Sequence, residues 1–493
     1  MNKSQSLIFP YRRNGKWGYS NLSKEIVVPC IYERVNTFYK GYAEVVLGFN
    51  KIGIIDSSGN EIIPPIFRSV SLVEGDGYFI VQDNKNRYGL FNKNKLCFEC
   101  KYEYIAYENE NIFLVNKDRR WRFVDLNQVD LFPNIELKSF VKPGPYDTRN
   151  HNKLINGRIL IHKYYDISVY VDSRKIDLKY EVKDLKEIRT KNKLIFYFAY
   201  YDGWKEDRFH SFIFYNSEFN IIHPDLFDED VKIQNIVHSD ENDEFLIVDD
   251  EKGNSYLIDE EFNTFKKLKF KVLNRFSDGL AKAKQIIDGK ERIGFINKKM
   301  EIIVPFVFSE TKSFKNGMCI VCKDGLWGII DEIGDIIIPL TYKEIGNIKE
   351  GKVAVRFDDN RWNSCGFINL KNQLISEKEY VFNYGGPYFN EFGVAIVTKE
   401  RKGSGLINRS GIEILECKYF IEHFFNGFSV FGVSEDEETK YGVINFQGEI
   451  ILEPKYKKIY SHISINDREL WDVVTFDNGT GYVDQFGVEY WED

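Results

Sequence analysis

The sequence lacks long apolar runs, since no segment approaches the ~18 uninterrupted apolar residues that a membrane-spanning helix requires. Its seven cysteines among 493 residues are odd in number, which does not suit a framework of paired disulfides. The N-terminal segment MNKSQSLIFPYRRNGKWG has neither the apolar region of a secretory signal nor the features of a transit peptide. These absences predict a reduced, cytoplasmic protein without membrane insertion.

Positive charge is also in short supply. The sequence has 67 Lys and Arg residues and 75 Asp and Glu residues, which gives a net charge of −8 and a pI near 5.7. Binding of nucleic acid requires a concentrated basic surface for phosphate contacts, so we expect no nucleic-acid partner. The basic stretch FKKLKFK at residues 265–271 is expected to be the solvated face of a strand.

Motifs of known catalytic and metal sites are missing as well. The sequence contains no H-E-x-x-H, G-x-S-x-G or Walker motif, and no G-x-G-x-x-G after a strand. Two C-x-x-C pairs, Cys97/Cys100 and Cys319/Cys322, have a spacing that can hold zinc. However, positions i and i+3 of a strand point to opposite faces. We therefore expect structural cysteines, no metal, no cofactor and no enzymatic activity.

What the sequence has in abundance is aromatic residues, at 16%, and a repeated pattern. The segment GKWGYSNLSKEIVVPCIY (15–32) shares its skeleton with LWGIIDEIGDIIIPLTY (326–342) and YGVINFQGEIILEPKY (441–456). A fixed period of 20–50 residues is typical of solenoids, propellers and arrays. The clear copies, which lie 33–40 residues apart outside the middle of the chain, centre on Gly18, Gly53, Gly89, Gly294, Gly328, Gly366, Gly405, Gly442 and Gly481.

Further copies lack the glycine. WRFVD at 121–125 has Arg122 in its place, and three blurred copies end at Asp172, Asn216 and Asp259. The total is about thirteen units. Aromatic and β-branched residues favour strands, and each unit has room for three or four short antiparallel strands without a helix.

Two columns of the repeat carry turn chemistry. An Asn or Asp follows three residues after each clear glycine, and a second glycine often follows three residues later, as in Asp331 and Gly334. An Asx side chain can accept hydrogen bonds from the backbone ahead of it, and glycine supplies a positive φ. We expect hairpin turns rather than calcium ligands, because no copy has a dense acidic loop. For the mid-strand glycine, we infer that a bulky side chain from a neighbouring unit packs on it.

The stretch GKWGYSN…EIVVPCIYERVNTFYKGYAEV resembles the WG repeat, also called the KWG repeat, which is found mainly in bacterial proteins. The resemblance covers residues 14–125 and 270–490 well and is poor between 126 and 269. It implies a β repeat with a binding or scaffolding role. No catalytic residues belong to the motif, so none is implied here.

We therefore predict an all-β fold, a tandem array of about thirteen short antiparallel β-meander repeats in an open superhelix or solenoid. The alternative is two β-propeller-like rings. The array is expected to be continuous, with regular WG repeats at 14–125 and 270–493, and divergent, longer repeats with inserted loops at 126–269. In such an array each unit contacts its neighbours, and the end units need polar caps.

The leading functional hypothesis is a non-catalytic scaffold that binds a protein partner in the cytoplasm. Glycan or cell-envelope binding through exposed aromatic residues is one alternative, and an enzyme with its site in the divergent middle is another. Two segments there, 141–153 and 200–210, depart from the repeat, and such loops often carry binding. The candidate partner-binding residues are Tyr146, Arg149, His151, Tyr201, Trp204 and Arg208.

Overall fold

The computed structural model describes most of the chain outside its middle. The described residues are 8–73, 77–109, 111–133, 153–155, 158–163, 166–171, 174–176, 182–201, 210–215, 233–357, 365–376, 378–382, 386–435, 438–465, 468–477 and 479–492. Every regular element within them is a β-strand, so this part of the chain contains no helix that could cross a membrane. The chain divides into two compact units, one of Met1–Lys142, Gly403–Gly405 and Ile414–Asp493, the other of Pro143–Lys402 and Leu406–Glu413.

In the described residues, thirteen successive groups of strands, numbered here as repeats 1–13, follow one another along the chain. Repeats 1–4 comprise β1 (Ile8–Arg13), β2 (Lys16–Asn21) and β3 (Ile26–Tyr32); β4 (Arg34–Val35), β5 (Tyr42–Gly48), β6 (Lys51–Asp56) and β7 (Glu61–Phe67); β8 (Ser69–Leu72), β9 (Tyr78–Gln82), β10 (Tyr88–Asn92) and β11 (Lys95–Tyr102); β12 (Tyr104–Asn109), β13 (Ile112–Lys117) and β14 (Arg120–Val124). Repeats 5–7 comprise β15 (Lys153–Ile155), β16 (Arg158–Lys163), β17 (Asp166–Val171) and β18 (Arg174–Ile176); β19 (Val182–Arg189), β20 (Leu194–Tyr201) and β21 (His210–Tyr215); β22 (Ile233–His238), β23 (Phe245–Asp250), β24 (Ser255–Asp259) and β25 (Phe265–Lys267).

The remaining repeats complete the series. Repeats 8–10 comprise β26 (Lys271–Val272), β27 (Leu280–Ile287), β28 (Lys290–Asn297) and β29 (Ile302–Phe308); β30 (Glu310–Thr311), β31 (Met318–Lys323), β32 (Leu326–Asp331) and β33 (Ile336–Tyr342); β34 (Glu344–Ile345), β35 (Lys352–Arg356) and β36 (Cys365–Asn369). Repeats 11–13 comprise β37 (Val394–Lys399), β38 (Gly403–Asn408) and β39 (Glu413–Ile421); β40 (Phe428–Glu435), β41 (Glu438–Asn445) and β42 (Ile450–Tyr456); β43 (Lys458–Ile465), β44 (Arg468–Val474) and β45 (Thr480–Asp484), followed by β46 (Trp491–Glu492).

The predicted all-β array of about thirteen small antiparallel repeats is confirmed. Within a repeat, successive strands pair with one another, as in the order β30-β31-β32-β33. The three blurred copies in the middle are real strands, since they correspond to β17, β21 and β24 in three separate sheets. The loss of the glycine there did not remove the sheet.

The hydrophobic core lies between consecutive repeats. On β32, Ile329 packs with Ile345 and Val353 of repeat 10, whereas Ile330 packs with Phe295 and Val304 of repeat 8. Neighbouring residues on a strand point to opposite faces, so each sheet is covered on both sides by its neighbours. This agrees with the alternation of apolar residues on the strand that carries the glycine.

The glycine of the repeat faces a bulge in the next strand, not a side chain from a neighbouring unit. In repeat 2, Ile52 pairs with Phe67 but Ile54 pairs with Ile63, so β7 contains two extra residues opposite Gly53. A Cβ at Gly53 would lie only 2.6 Å from the carbonyl oxygen of Ile63. The inferred bulky neighbour was therefore wrong for this repeat, because the close approach comes from backbone. The same register shift occurs in β2/β3, β10/β11, β28/β29, β32/β33 and β41/β42.

Prolines fit the same bulge. Pro64 and Pro65 lie in the bulged part of β7, where a residue without an N–H costs no ladder hydrogen bond. At Gly481, by contrast, the neighbour is a side chain, the ring of Trp491. Gly481 is thus the glycine whose surroundings match the sequence-based inference.

The Asx column closes the following turn. The Oδ1 atom of Asp331 accepts hydrogen bonds from the N–H groups of Ile333 at 3.1 Å and Asp335 at 2.8 Å. Gly334 has a φ of +93°, which a residue with a side chain adopts only with strain. Equivalent bonds to the N–H groups two and four residues on are accepted by Asn21, Asp56, Asp125, Asn297, Asn369, Asn408, Asn445 and Asp484. Turn chemistry accounts for this column.

The first and last repeats meet within their unit. Arg12 and Arg13 of β1 pair in parallel with Trp491 and Glu492 of β46, and Arg13 Nε lies 2.8 Å from Glu492 Oε2. Phe9, Tyr11, Leu470 and Tyr490 form one buried cluster beside this pairing. The expected polar end caps were therefore wrong, because apolar residues of the two terminal repeats cover one another.

Candidate functional site

The structure does not test the binding residues predicted from sequence. Tyr146, Arg149, His151, Trp204 and Arg208 lie outside the described residues. Tyr201 is the last residue of β20, and its backbone pairs with that of His210 on β21. The 200–210 segment therefore starts from a paired hairpin, and its proposed role stays a prediction.

An open cavity of about 460 Å³ lies on the loops that join the first two strands of repeats 9 and 10. Its walls are lined by Lys312, Ser313, Lys315, Asn316, Met318, Ile320, Asn347, Ile348, Lys349 and Tyr388. We call it the lysine cavity. All of these residues belong to the same compact unit, so the cavity is built within one body.

Tight turns hold two of its lysines in place. Asn316 and Gly317 have φ values of +52° and +72°, and Glu350 and Gly351 have values of +49° and +70°. Two successive positive φ angles are typical of type I′ hairpin turns, which match the twist of the flanking strands. Lys315 and Lys349 immediately precede these turns, and each exchanges backbone hydrogen bonds across its turn with the residue three positions later. They therefore occupy the same position in two successive repeats.

The charge of the lysine cavity is one-sided. The residues that line it include three lysines and no acidic side chain. The nearest acidic residue in sequence to Lys349 is Glu350, whose carboxylate is taken by Arg409, with its Oε2 atom 2.5 Å from Arg409 Nε. Lys312 Nζ donates to the neutral amide oxygen of Asn347, at 3.3 Å. Burial lowers the pKa of Lys312, because desolvation disfavours its charged form.

Apolar atoms complete the walls of the cavity. Ile320 is buried, Met318 and Ile348 are half-buried, and the Tyr388 side chain is exposed. The hydroxyl of Ser313 accepts a hydrogen bond from Asn274 Nδ2 at 2.9 Å. No histidine or carboxylate among the lining residues could serve as a general base for that hydroxyl. The arrangement has the groups needed to bind an anion next to an apolar group.

A polar cluster elsewhere in the described residues has a buried His–Asp pair at its centre. His238 Nε2 lies 2.8 Å from Asp243 Oδ2, and Lys298 Nζ lies 2.6 Å from Asp243 Oδ1. His238 is only 2% exposed, and the rings of Phe245 and Phe276 pack against it. Burial lowers its pKa despite the carboxylate. The triad joins repeats 7 and 8, with His238 and Asp243 buried and the Lys298 side chain partly exposed.

The cysteines are packed in the strands as free thiols. Cys319 and Cys322 are 1% and 2% exposed, and burial raises the pKa of Cys319 to about 12. Burial likewise raises the pKa of Cys100 to about 11. Such thiols stay protonated and unreactive near neutral pH. Among the residues that the structure describes, no three His, Cys, Asp or Glu side chains form a group that could hold a metal.

The lysine cavity was missed at the sequence level, although one signal for it exists. When repeats are aligned on the F-x-x-G turn, Lys315 and Lys349 share a column that holds Tyr39, Ser277 and Phe425 in other repeats. Identical cations in adjacent copies of a structurally free column indicate one joint surface. The surface predicted from sequence lay in the irregular loops and not in this column.

Comparison with known proteins identifies the repeat. The profile of the family described as "WG containing repeat" matches residues 17–48, 52–86, 293–327, 327–362 and 441–461. No curated protein matches the chain.

Solved structures resemble the chain only distantly. BamB from Moraxella catarrhalis is 12% identical, with a TM-score of 0.26, over 63% of this chain and 96% of its own. The computationally designed Ika8 protein is 11% identical, with a TM-score of 0.24, over 62% of this chain and 97% of its own. A eukaryotic initiation factor is 9% identical, with a TM-score of 0.26, over 91% of this chain and 96% of its own. Because the profile falls on repeats that combine the glycine, the bulge and the Asx turn, the chain contains WG repeats.

Proposed function

We propose that the chain is a non-catalytic scaffold that binds a protein partner in the cytoplasm. The observation that carries this proposal is the lysine cavity, in which rigid turns of successive repeats present cations and apolar groups without a general base. Rigid β repeats that present loops on one surface suit recognition of an extended partner. Backbone turns fixed before binding also reduce the entropy lost in the complex.

The proposal is tested with the purified full-length chain as bait in an extract of its own host. Captured proteins are identified by mass spectrometry, produced in pure form and titrated against the chain by calorimetry. An unrelated β-repeat protein of similar pI serves as the control bait. We expect at least one purified protein to bind saturably at a fixed stoichiometry with a Kd in the micromolar range or below. Absence of any such partner contradicts the proposal.

The divergent segments are a second proposed contact surface. Replacing residues 141–153 by a short Gly-Ser turn should leave the repeats folded, because surface loop length costs little stability. If the segment contacts the partner, affinity falls at least tenfold, about 1.4 kcal/mol. Unchanged affinity of the folded variant would remove Tyr146, Arg149 and His151 from the proposed surface.

Glycan binding is the less favoured function. Exposed aromatic rings, which sugars stack on, include Tyr39 at 59% and Tyr460 at 65% exposure. However, Lys40 Nζ lies 5.2 Å from the centroid of the Tyr39 ring, and Lys458 Nζ lies 5.8 Å from that of Tyr460. These cations already occupy the ring faces. Co-sedimentation of the chain with envelope polysaccharide, lost in a Tyr39→Ala variant, would reverse this preference.

A further inference from the structure

We propose that the lysine cavity binds an acidic peptide segment, in which carboxylates pair with Lys312, Lys315 and Lys349 and an apolar side chain packs on Met318, Ile348 and Tyr388. This inference rests on the proposed scaffold function and names the chemistry of the partner. It follows from the charge, the shape and the spacing of the cavity.

Charge favours an anion. The whole chain carries a net charge of −8, yet the described residues that line this cavity bear three positive charges and no negative one. Lys315 and Lys349 are exposed, so an incoming carboxylate can reach them from solvent. Complementary charge of this kind steers association and fixes register.

Shape favours a peptide over a small molecule. Small-molecule sites enclose 70–90% of their ligand, whereas Lys315, Asn316, Asn347 and Lys349 leave this cavity open. The cations are also all lysines, which act as point charges. Bidentate phosphate clamps favour arginine. An open groove with mixed cationic and apolar walls suits a chain segment laid across it.

Spacing sets the pattern of the acidic residues. Lys315 and Lys349 occupy equivalent turns of adjacent sheets, and packed sheets lie about 10 Å apart. Side chains on the same face of an extended peptide recur every two residues, about 7 Å, and every four residues, about 13 Å. The flexible lysine side chains can adjust to the difference between the spacing of the sheets and the spacing of the peptide side chains. The peptide should therefore carry acidic residues two to four positions apart, around an apolar one.

The binding test uses the full-length chain and a fluorescein-labelled peptide, Ac-Ser-Glu-Glu-Phe-Glu-Glu-Gly-NH2, followed by anisotropy. The matched peptides replace all Glu by Gln, or Phe by Ala. We expect saturable binding of the acidic peptide, at least tenfold weaker binding of the Gln peptide and an intermediate effect of the Ala peptide. Raising the salt concentration should weaken binding of the acidic peptide, because salt screens exposed charges. Equal binding of the acidic and Gln peptides overturns the proposal.

The chain offers a matched pair of variants. Lys315→Gln with Lys349→Gln removes two exposed cavity lysines, and Lys299→Gln with Lys371→Gln removes two exposed lysines that share another column in repeats 8 and 10. Net charge changes equally in both. Only the first pair should weaken peptide binding, by at least tenfold, while thermal unfolding stays unchanged in both. An equal loss in the two pairs shows a general charge effect and overturns the proposal.

Competition experiments distinguish an acidic peptide from a small anion as the ligand. Binding of the native partner distinguishes the cavity proposal from the scaffold proposal. Inorganic pyrophosphate that binds with higher affinity than the peptide, and is lost in the cavity variant, overturns the peptide in favour of a small anion. A purified partner that binds the Lys315→Gln/Lys349→Gln chain as well as the parent leaves the scaffold function standing and overturns the cavity assignment. Specific peptide binding without any protein partner supports the cavity but contradicts the scaffold function.

Discussion

Repeats with a glycine before the Asx turn and repeats without one differ in how the next strand pairs. In repeats 2 and 9, Gly53 and Gly328 face two extra residues in β7 and β33. In repeats 5 and 7, Val169 and Tyr256 stand at the glycine position, and β17/β18 and β24/β25 pair in continuous register. In these four repeats the glycine is present where the bulge is present and absent where the register is continuous, whereas Gly481 instead lies against the ring of Trp491.

The same comparison explains why the divergent middle still folds as sheets. The bulge narrows the space beside the glycine, so a Cβ is excluded wherever the bulge is present. A strand without the bulge leaves ordinary pairing distance and accepts any residue with β propensity. A repeat that lacks the motif therefore differs in the pairing of one hairpin. The hydrophobic core between neighbouring sheets is still present in this part of the chain.

The largest expected effect comes from a turn residue in the middle that has become part of the core. Phe262 has a φ of +57°, is fully buried and packs on Phe214 with ring centroids 5.2 Å apart. Phe262→Gly relieves the backbone but removes the ring, so we expect a net loss of about 3 kcal/mol. Hydrogen exchange of repeat 7 amides measures it. Phe262→Leu should lose less, and a stabilised Phe262→Gly variant would refute the core role.

The next effect tests the bulge itself. Gly53→Ala should destabilise repeat 2 by about 2 kcal/mol, because the added Cβ meets backbone that cannot move without breaking pairing. Gly48→Ala in the same repeat is the control, since the only atom near its Cβ would be Lys51 Cδ at 3.9 Å. Protection of repeat 2 amides against hydrogen exchange compares the two variants.

A deletion sharpens this test. Removing Pro64 and Pro65 should restore one-to-one pairing between Ile52 and Ile54, and a two-residue deletion keeps every later side chain on its own face. In that background, Gly53→Ala should cost little, as the double-mutant cycle would show. If Gly53→Ala costs the same with and without the bulge, the proposed link between the two is wrong.

Features that recur with the repeat were open to prediction from sequence, and features that depend on pairing partners were not. The Asx turn at Asp331 and the two apolar faces around Ile329 and Ile330 follow from local chemistry and strand alternation. The cause of the glycine requirement depends on the register of the following strand, which composition does not encode. The pairing of Arg13 with Glu492 joins opposite ends of the chain and leaves no local pattern. The lysine cavity arises because the fold brings one column of two adjacent repeats together.

The Asx turn should contribute equally to stability in the divergent middle and in the regular repeats. Asp259 in the middle and Asp331 in the regular part each accept backbone hydrogen bonds in their turn, from Asn263 at 2.9 Å and from Asp335 at 2.8 Å. Asp259→Ala and Asp331→Ala should each lower the free energy of unfolding by about 1–2 kcal/mol, because the backbone N–H groups of the turn lose their acceptor. Urea titrations followed by hydrogen exchange of each repeat provide the comparison. A much smaller cost at Asp259 would mean that the middle turn is held by other contacts.

Acid should weaken the Asp259 turn specifically. Burial by itself raises the pKa of Asp259, but hydrogen bonds from Thr264 and Asn263 outweigh it and hold the pKa below its ordinary value. The stabilisation is therefore complete above the unfolded pKa of about 3.9 and is lost as the pH falls through the lower folded value. Asp259→Asn cannot titrate, so its stability relative to the parent should rise below about pH 4. If the stability of the parent and of Asp259→Asn falls in parallel as the pH is lowered, the acid sensitivity comes from groups other than Asp259.

The smallest expected effect is a gain in stability at the first turn. Lys24 occupies the column of Gly59 and Gly334, is exposed and has a φ of +61°. Lys24→Gly relieves the strain of a left-handed residue but adds flexibility to the unfolded chain, so we expect a net gain of about 0.5 kcal/mol. Lys24→Ala keeps the Cβ and should show no gain. Lys24 and Phe262 occupy the same column of the repeat. If Lys24→Gly raises the free energy of unfolding and Phe262→Gly lowers it, the two repeats differ in the burial of this side chain and not in backbone strain. The same sign at both positions, measured by hydrogen exchange, would contradict that distinction.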